Sequence, residues 1–177
     1  MANKSLPLTV KIKKENREEM GMLTIEILNQ MNFTRLYTLG LLKQSVDAEW
    51  DTQPTGFSNT IRWNAGHIYV TLEYFVHLID KEYEIVHAEW IPLFVRGSSP
   101  AIWEGNIPSN EEVIYALTEQ TTRLTKVLAG RLEEPLENPI DFGDYKVKTI
   151  GSLILFAIWH EGLHTGIIDG LNHATLK

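Results

Sequence analysis

Apolar residues recur at helical spacing in several stretches of this chain, separated by segments rich in proline, glycine and polar side chains. From about Thr24 to Val46, the residues Ile25, Leu28, Leu36, Leu39 and Val46 follow the helical period, and Ile27, Met31, Leu41 and Leu42 widen the stripe. A helix packed along one side has this pattern. Pro54 and Gly56 then break it. A second helix begins at Ser58 or Asn59, either of which can cap, and runs through Ile61, Trp63, His67, Val70, Tyr74 and Leu78. Gly66 in its middle costs about 1 kcal/mol relative to alanine. A glycine beside a histidine on a buried face implies the close approach of a neighbouring helix.

Residues 81–108 are the least regular part, with Pro92, Gly97, Pro100, Gly105 and Pro108 spread through them. Within that stretch, Trp90-Ile91-Pro92-Leu93-Phe94 is apolar enough for a short helix or a cover, and crossovers of this length often form lids or pocket walls. Ser109 and Glu112 have the spacing of a capping box. They open a third helix through Val113, Leu117, Leu124 and Leu128 to about Gly130. Pro135 and Pro139 punctuate the next connection, and the weak alternation of residues 142–148 reads as a short hairpin. Thr149 caps the last helix, whose broad apolar face carries Leu153, Phe156, Ala157, His160, His164, Ile167, Ile168 and Leu171. The pattern predicts an all-α four-helix bundle with a long crossover between the second and third helices. Residues 1–20 read as a polar N-terminal arm, and residues 21–177 as a single domain.

Composition narrows the function. A net charge of −7, from 23 acidic and 16 basic residues, argues against nucleic acid or an anionic membrane as partner. The one basic run, Lys11 to Lys14, leads straight into Glu15, Glu18 and Glu19 and reads as a solvated lead-in. The absence of cysteine removes disulfides and thiolate metal ligands. With no apolar run of signal-peptide or membrane-spanning length, the expectation is a soluble, unprocessed, cytoplasmic protein.

The chemistry concentrates in Trp159-His160-Glu161-Gly162-Leu163-His164. Two histidines four residues apart on a helix are ~40° apart around the axis and ~6 Å apart along it, so both can lean onto one ion. Burying an unpaired imidazole pair is costly, and a metal resolves that cost. Zinc sites need at least three protein ligands. The string also matches the zinc-protease signature, in which the glutamate is the general base. That reading fails downstream: Ile167 and Gly170 stand where a glycine and the third histidine belong, His173 is out of register, and no glutamate follows Glu161. The third ligand must therefore lie upstream, where His67, His77 and His87 are available. His67 shares a face with Trp63, Val70 and Tyr74, His77 points about 80° away by the helical period, and His87 lies in the irregular crossover. His67 is the best placed.

Asn64-x-x-His67-Ile68 on the second helix, with His160-x-x-x-His164-x-Gly166-x-Ile168 on the fourth, resembles the DinB-like (YfiT-like) metalloprotein superfamily over about residues 20–175. The resemblance implies an antiparallel four-helix bundle with a long crossover, and a divalent metal held by His67, His160 and His164. It gives no fixed catalytic role to the position of Glu161, where a rim position is as good a reading as catalysis. Members of that superfamily look like metal-dependent hydrolases or S-transferases that use a low-molecular-weight thiol. Asn64, Trp63, Tyr74 and Glu161 are candidates for the pocket or for contacts behind the ligands. Trp90, Trp103 and Trp159 belong to the same aromatic set, filling the core or walling the pocket. Zinc is the first choice of metal and nickel the second. A homodimer is expected, since bundles with apolar outer stripes often pair. The reading from a different class is a metal-binding bundle without turnover, serving as a sensor, stress protein or dimerisation module.

Overall fold

The computed structural model describes residues 21–175; the expected N-terminal arm lies outside the described residues. Four long helices dominate: α1 (Met22–Gln44), α2 (Ile61–Ile79), α3 (Asn110–Leu128) and α4 (Ile150–Thr175). Each helix packs on two others, α1 and α2 both against α3 and α4. Contacts fix their sense. Arg35 meets Glu161 and Thr38 meets Thr165, so α1 and α4 run the same way. Tyr69 meets Gln120 and Glu73 meets Arg123, so α2 and α3 are also parallel. His67 beside His164 and Phe75 beside Phe156 make α2 and α4 antiparallel. The bundle is thus antiparallel across the α2/α4 and α1/α3 seams only, because the long crossover carries the chain back to the end of the bundle from which α2 started.

Local chemistry sets the boundaries. Thr60, one or two residues past the expected caps, accepts from the backbone N–H of Trp63 at 3.2 Å and starts α2. Ser109 and Glu112 form the reciprocal capping box of α3, and Thr149 accepts from the N–H of Ser152 to open α4. The crossover contains a one-turn helix at Ile91–Phe94 that buries Leu93 and Phe94. The hairpin is longer than its alternation suggests: β1 (Pro135–Phe142) pairs with β2 (Tyr145–Thr149), and Pro135 and Pro139 fall inside β1. A two-stranded ribbon with an irregular register between Pro135 and Ile140 tolerates them, since a proline missing its N–H is disruptive only where the ladder needs that donor. No helix among the described residues is long and apolar enough to cross a membrane.

The apolar core is divided. One cluster, around Trp50, Ile68, Trp90, Phe94 and Leu117, fills the end of the bundle under the crossover. The other, around Leu28, Leu72, Leu124, Leu153 and Ile154, fills the opposite end above the hairpin. Between them runs a buried polar layer. Arg35, 2% exposed, makes two parallel hydrogen bonds to the Glu161 carboxylate at 2.8 and 3.0 Å. Its remaining nitrogen donates to the Leu117 carbonyl and to Gln120 Oε1. Gln120 in turn donates to the fully buried carboxylate of Glu73, which also receives Arg123, Tyr83 and the Val86 N–H. Thr38 closes the other end, bonded to Glu161 and Thr165.

Removing one partner from a buried ion pair leaves an uncompensated charge, whereas an exposed pair contributes little. Arg35→Ala is expected to lower the unfolding free energy by about 3–5 kcal/mol. Arg131→Ala, which breaks the exposed pair with Glu134, should lower it by less than about 1 kcal/mol. Urea unfolding of the two variants measures the difference.

Candidate metal centre

His67 projects from the middle of α2, and His160 and His164 from successive turns of α4, at the level of the polar layer. The seam runs antiparallel, with His67 near His164 and Phe75 near Phe156. Ring centroids lie 4.7 Å apart for His67 and His164, 5.0 Å for His67 and His160, and 4.6 Å for His160 and His164. One ring nitrogen from each lies within 4.8 Å of the other two. His67 and His164 are buried, and His160 is half-buried.

Two rings are held from behind. His67 Nδ1 donates to the Phe94 carbonyl at 2.6 Å, and His164 Nδ1 donates to Asn64 Oδ1 at 2.8 Å. Asn64 is oriented by its own amide, which donates to the Thr60 carbonyl at 2.7 Å, so its oxygen is the atom facing His164. With both Nδ1 atoms committed, Nε2 is the free nitrogen on each ring. The contact with Phe94 depends on Gly66: a Cβ there would stand 2.4 Å from the Phe94 ring. The close approach read from the sequence is real, and the partner is the one-turn helix of the crossover rather than one of the four long helices.

Burial disfavours the charged form of these imidazoles; His67 adds to the effect at His160, and His160 and His67 add to it at His164. His160 is lowered to about 4 and His164 to about 3, burial being the larger cause in both. Burial also lowers His67, against the opposing pull of the Phe94 carbonyl. All three are therefore neutral at physiological pH, the form in which imidazole binds metal. Three neutral, convergent nitrogens, two of them with their tautomer fixed by an outer hydrogen bond, fit a divalent metal ion.

The other candidates separate clearly. Trp63 stacks on His67 with centroids 4.6 Å apart and 14° between planes, walling one side of the centre, and its indole N–H bonds Ser98. Tyr74 is exposed and touches none of the three rings. Glu161 is not at a rim: it is 4% exposed and bound to Arg35 and Thr38. His77 bonds the Tyr83 carbonyl, His87 stacks on Trp90, and the largely exposed His173 lies 3.8 Å from Asp169. Trp90 is buried in the core, Trp103 bonds the Leu93 carbonyl, and Trp159 is exposed. Sequence reasoning did not find Phe94 as a partner of His67, since the contact is made by a carbonyl that any residue carries. The role of Arg35 did leave a signal, a lone cation in the apolar stripe of α1.

A model of the DinB superfamily matches residues 30–168. Among solved structures, the chain is similar to a conserved protein from Enterococcus faecalis, with a TM-score of 0.58 and 16% identity over 85% of this chain and 95% of that one. A likeness at that identity is one of fold. No curated protein matches the sequence.

The lowered histidines give a signed pH dependence. The unfolded chain protonates these rings as pH falls through the ordinary value of 6.5, whereas the folded protein resists to about 4 at His160 and about 3 at His164. The unfolded state binds more protons throughout that window, so the metal-free protein loses stability on acidification. Urea midpoints between about pH 7 and pH 4 should fall steadily. They should fall less steeply in His160→Gln, which lacks one of these groups.

Proposed function

The chain belongs to the DinB superfamily, and from that membership we propose that it is a metal-dependent enzyme that joins a low-molecular-weight thiol to an electrophile. The observation that carries the proposal is the convergence of His67, His160 and His164, neutral and facing one another within 4.8 Å. These residues would hold a divalent ion, zinc first and nickel second, and an uncharged ligand set leaves the ion its full positive charge. When bound, such an ion lowers the pKa of a thiol or a water toward neutrality and so supplies a nucleophile.

The residues of the chain supply the remainder. Phe94 and Asn64 fix the tautomers of His67 and His164, so both present Nε2 without reorganisation. Trp63 covers one side of the ligand set by stacking on His67. Glu161, the carboxylate beside His160, has its oxygens held by Arg35 and Thr38 and is a poor general base. This favours a thiol over water as nucleophile: a thiol has an ordinary pKa of about 8.5 and needs little help to ionise, while water activation commonly draws on a base. A metal-dependent hydrolase is the second reading.

The outer face of α4 supports a homodimer. Leu155, Trp159 and Leu163 are exposed there. Gly162 and Gly166 beside them have open space where a Cβ would stand, so nothing within the described chain requires glycine at either position. A second copy packed against this face would give those glycines a purpose.

Purified protein is expected to hold about one divalent ion per chain by elemental analysis, and His160→Ala to hold none. Thiol consumption with a panel of electrophiles should be chelator-sensitive and exceed turnover of esters and amides. Metal without turnover of either panel would leave a non-catalytic binding bundle. Sedimentation should give a dimer for the wild type and a monomer for Trp159→Glu; a wild-type monomer would remove the dimer.

A further inference from the structure

His67 and His164 each place their Nδ1 hydrogen on a protein oxygen, whereas neither ring nitrogen of His160 has a hydrogen-bond partner among the described residues. A metal-binding histidine almost always donates from its second ring nitrogen to a carbonyl, a carboxylate or a water, and that bond fixes the tautomer and raises the basicity of the ligand. Two of the three rings are therefore braced, and the third is the most exposed of the set.

A narrow cleft between α1, α2 and α4 borders the unbraced ring. Met31, Ile68, Leu72 and Ala157 give it apolar walls, and Thr71, Glu161 and His160 are its polar members. It has room for about one water molecule, which needs two or more polar partners to be held. Thr71 lies one turn after His67 on α2, within the same seam. Threonines in helices commonly turn the hydroxyl back to the carbonyl four residues earlier, as Thr34, Thr38, Thr118, Thr125 and Thr165 do here. Thr71 makes no such bond, and its half-buried hydroxyl has no partner among the described residues. Glu161 lines the same space but directs its oxygens at Arg35 and Thr38. The unengaged hydroxyl and the unbraced imidazole thus border one water-sized space.

We propose that Thr71 is the positioning residue for His160: its hydroxyl holds a single water in the cleft, and that water accepts the hydrogen of the His160 ring nitrogen that faces away from the metal. The inference rests on the metal-binding reading above. It completes the set, with Phe94 behind His67, Asn64 behind His164, and Thr71 through a water behind His160. Thr71 touches neither metal nor substrate and acts through the histidine.

The test compares Thr71→Val, which keeps the shape and removes the hydroxyl, with Thr71→Ser, which restores it. Affinity for zinc and for cobalt(II) is read by competition with a chromophoric chelator, alongside the melting temperature of the metal-free protein. Thr71→Val should bind about tenfold or more weakly at an unchanged metal-free melting temperature, and Thr71→Ser should recover most of the loss. A crystal structure of the zinc-loaded wild type should show a water between Thr71 Oγ1 and His160. Wild-type affinity in Thr71→Val, a loss that Thr71→Ser does not restore, or a cleft without that water would each overturn the proposal. Should Thr71→Val fail to fold, the wild-type crystal structure and Thr71→Ser decide. A wild type that takes up no metal defeats the metal-binding reading itself, an outcome distinct from a loaded wild type indifferent to Thr71.

Discussion

Arg35 spans three helices with one guanidinium. From α1 it reaches the carboxylate of Glu161 on α4 through two bonds and the carbonyl of Leu117 and amide of Gln120 on α3 through a third nitrogen. Desolvating such a pair costs several kcal/mol per ion, and a hydrophobic substitute of similar volume is often as stable. What the pair adds is directionality. An apolar seam tolerates sliding by a turn, but a bidentate bond between rigid planes does not. Glu161 follows His160 directly, so the register that Arg35 imposes on α4 is also the register in which His160 and His164 face α2.

The same layer accounts for the division of the core. Two apolar clusters close the ends of the bundle, and the two buried carboxylates between them, Glu73 and Glu161, are held by donors of the protein itself. The histidines sit beside this layer, dry enough that burial keeps them uncharged. A site of neutral imidazoles in a stable fold needs both conditions at once: enough burial to remove the protons, and enough internal bonding nearby that burial does not undo the bundle.

Much of this was legible in the sequence because it rests on local rules. Helical spacing located the helices, the Ser109–Glu112 box located a start, and the spacing of His160 and His164 located a pair of ligands on one face. What escaped depends on contacts between distant residues. The role of Glu161 is set by Arg35, 126 positions earlier, and local spacing gives a glutamate inside an H-E-x-x-H string the appearance of a catalyst. The prolines of β1 read as loop because the rule that excludes them applies to central strands, whereas this ribbon has only two. Ser58 and Asn59 are as good caps as Thr60 in isolation. The choice among them falls to the strand-like backbone of Thr60 and to the Arg62 N–H, which is bonded to the Trp50 carbonyl in the preceding turn.

Gly66 carries a consequence for access. The missing side chain lets the Phe94 ring lie flat on α2, and the carbonyl of that same residue then takes the hydrogen of His67. Swinging the crossover outward would strip His67 of its partner and expose Phe94, so this segment behaves as a strut rather than a door. The flank left open to a ligand is the opposite one, along the α2/α4 seam, where His160 is the ring nearest solvent.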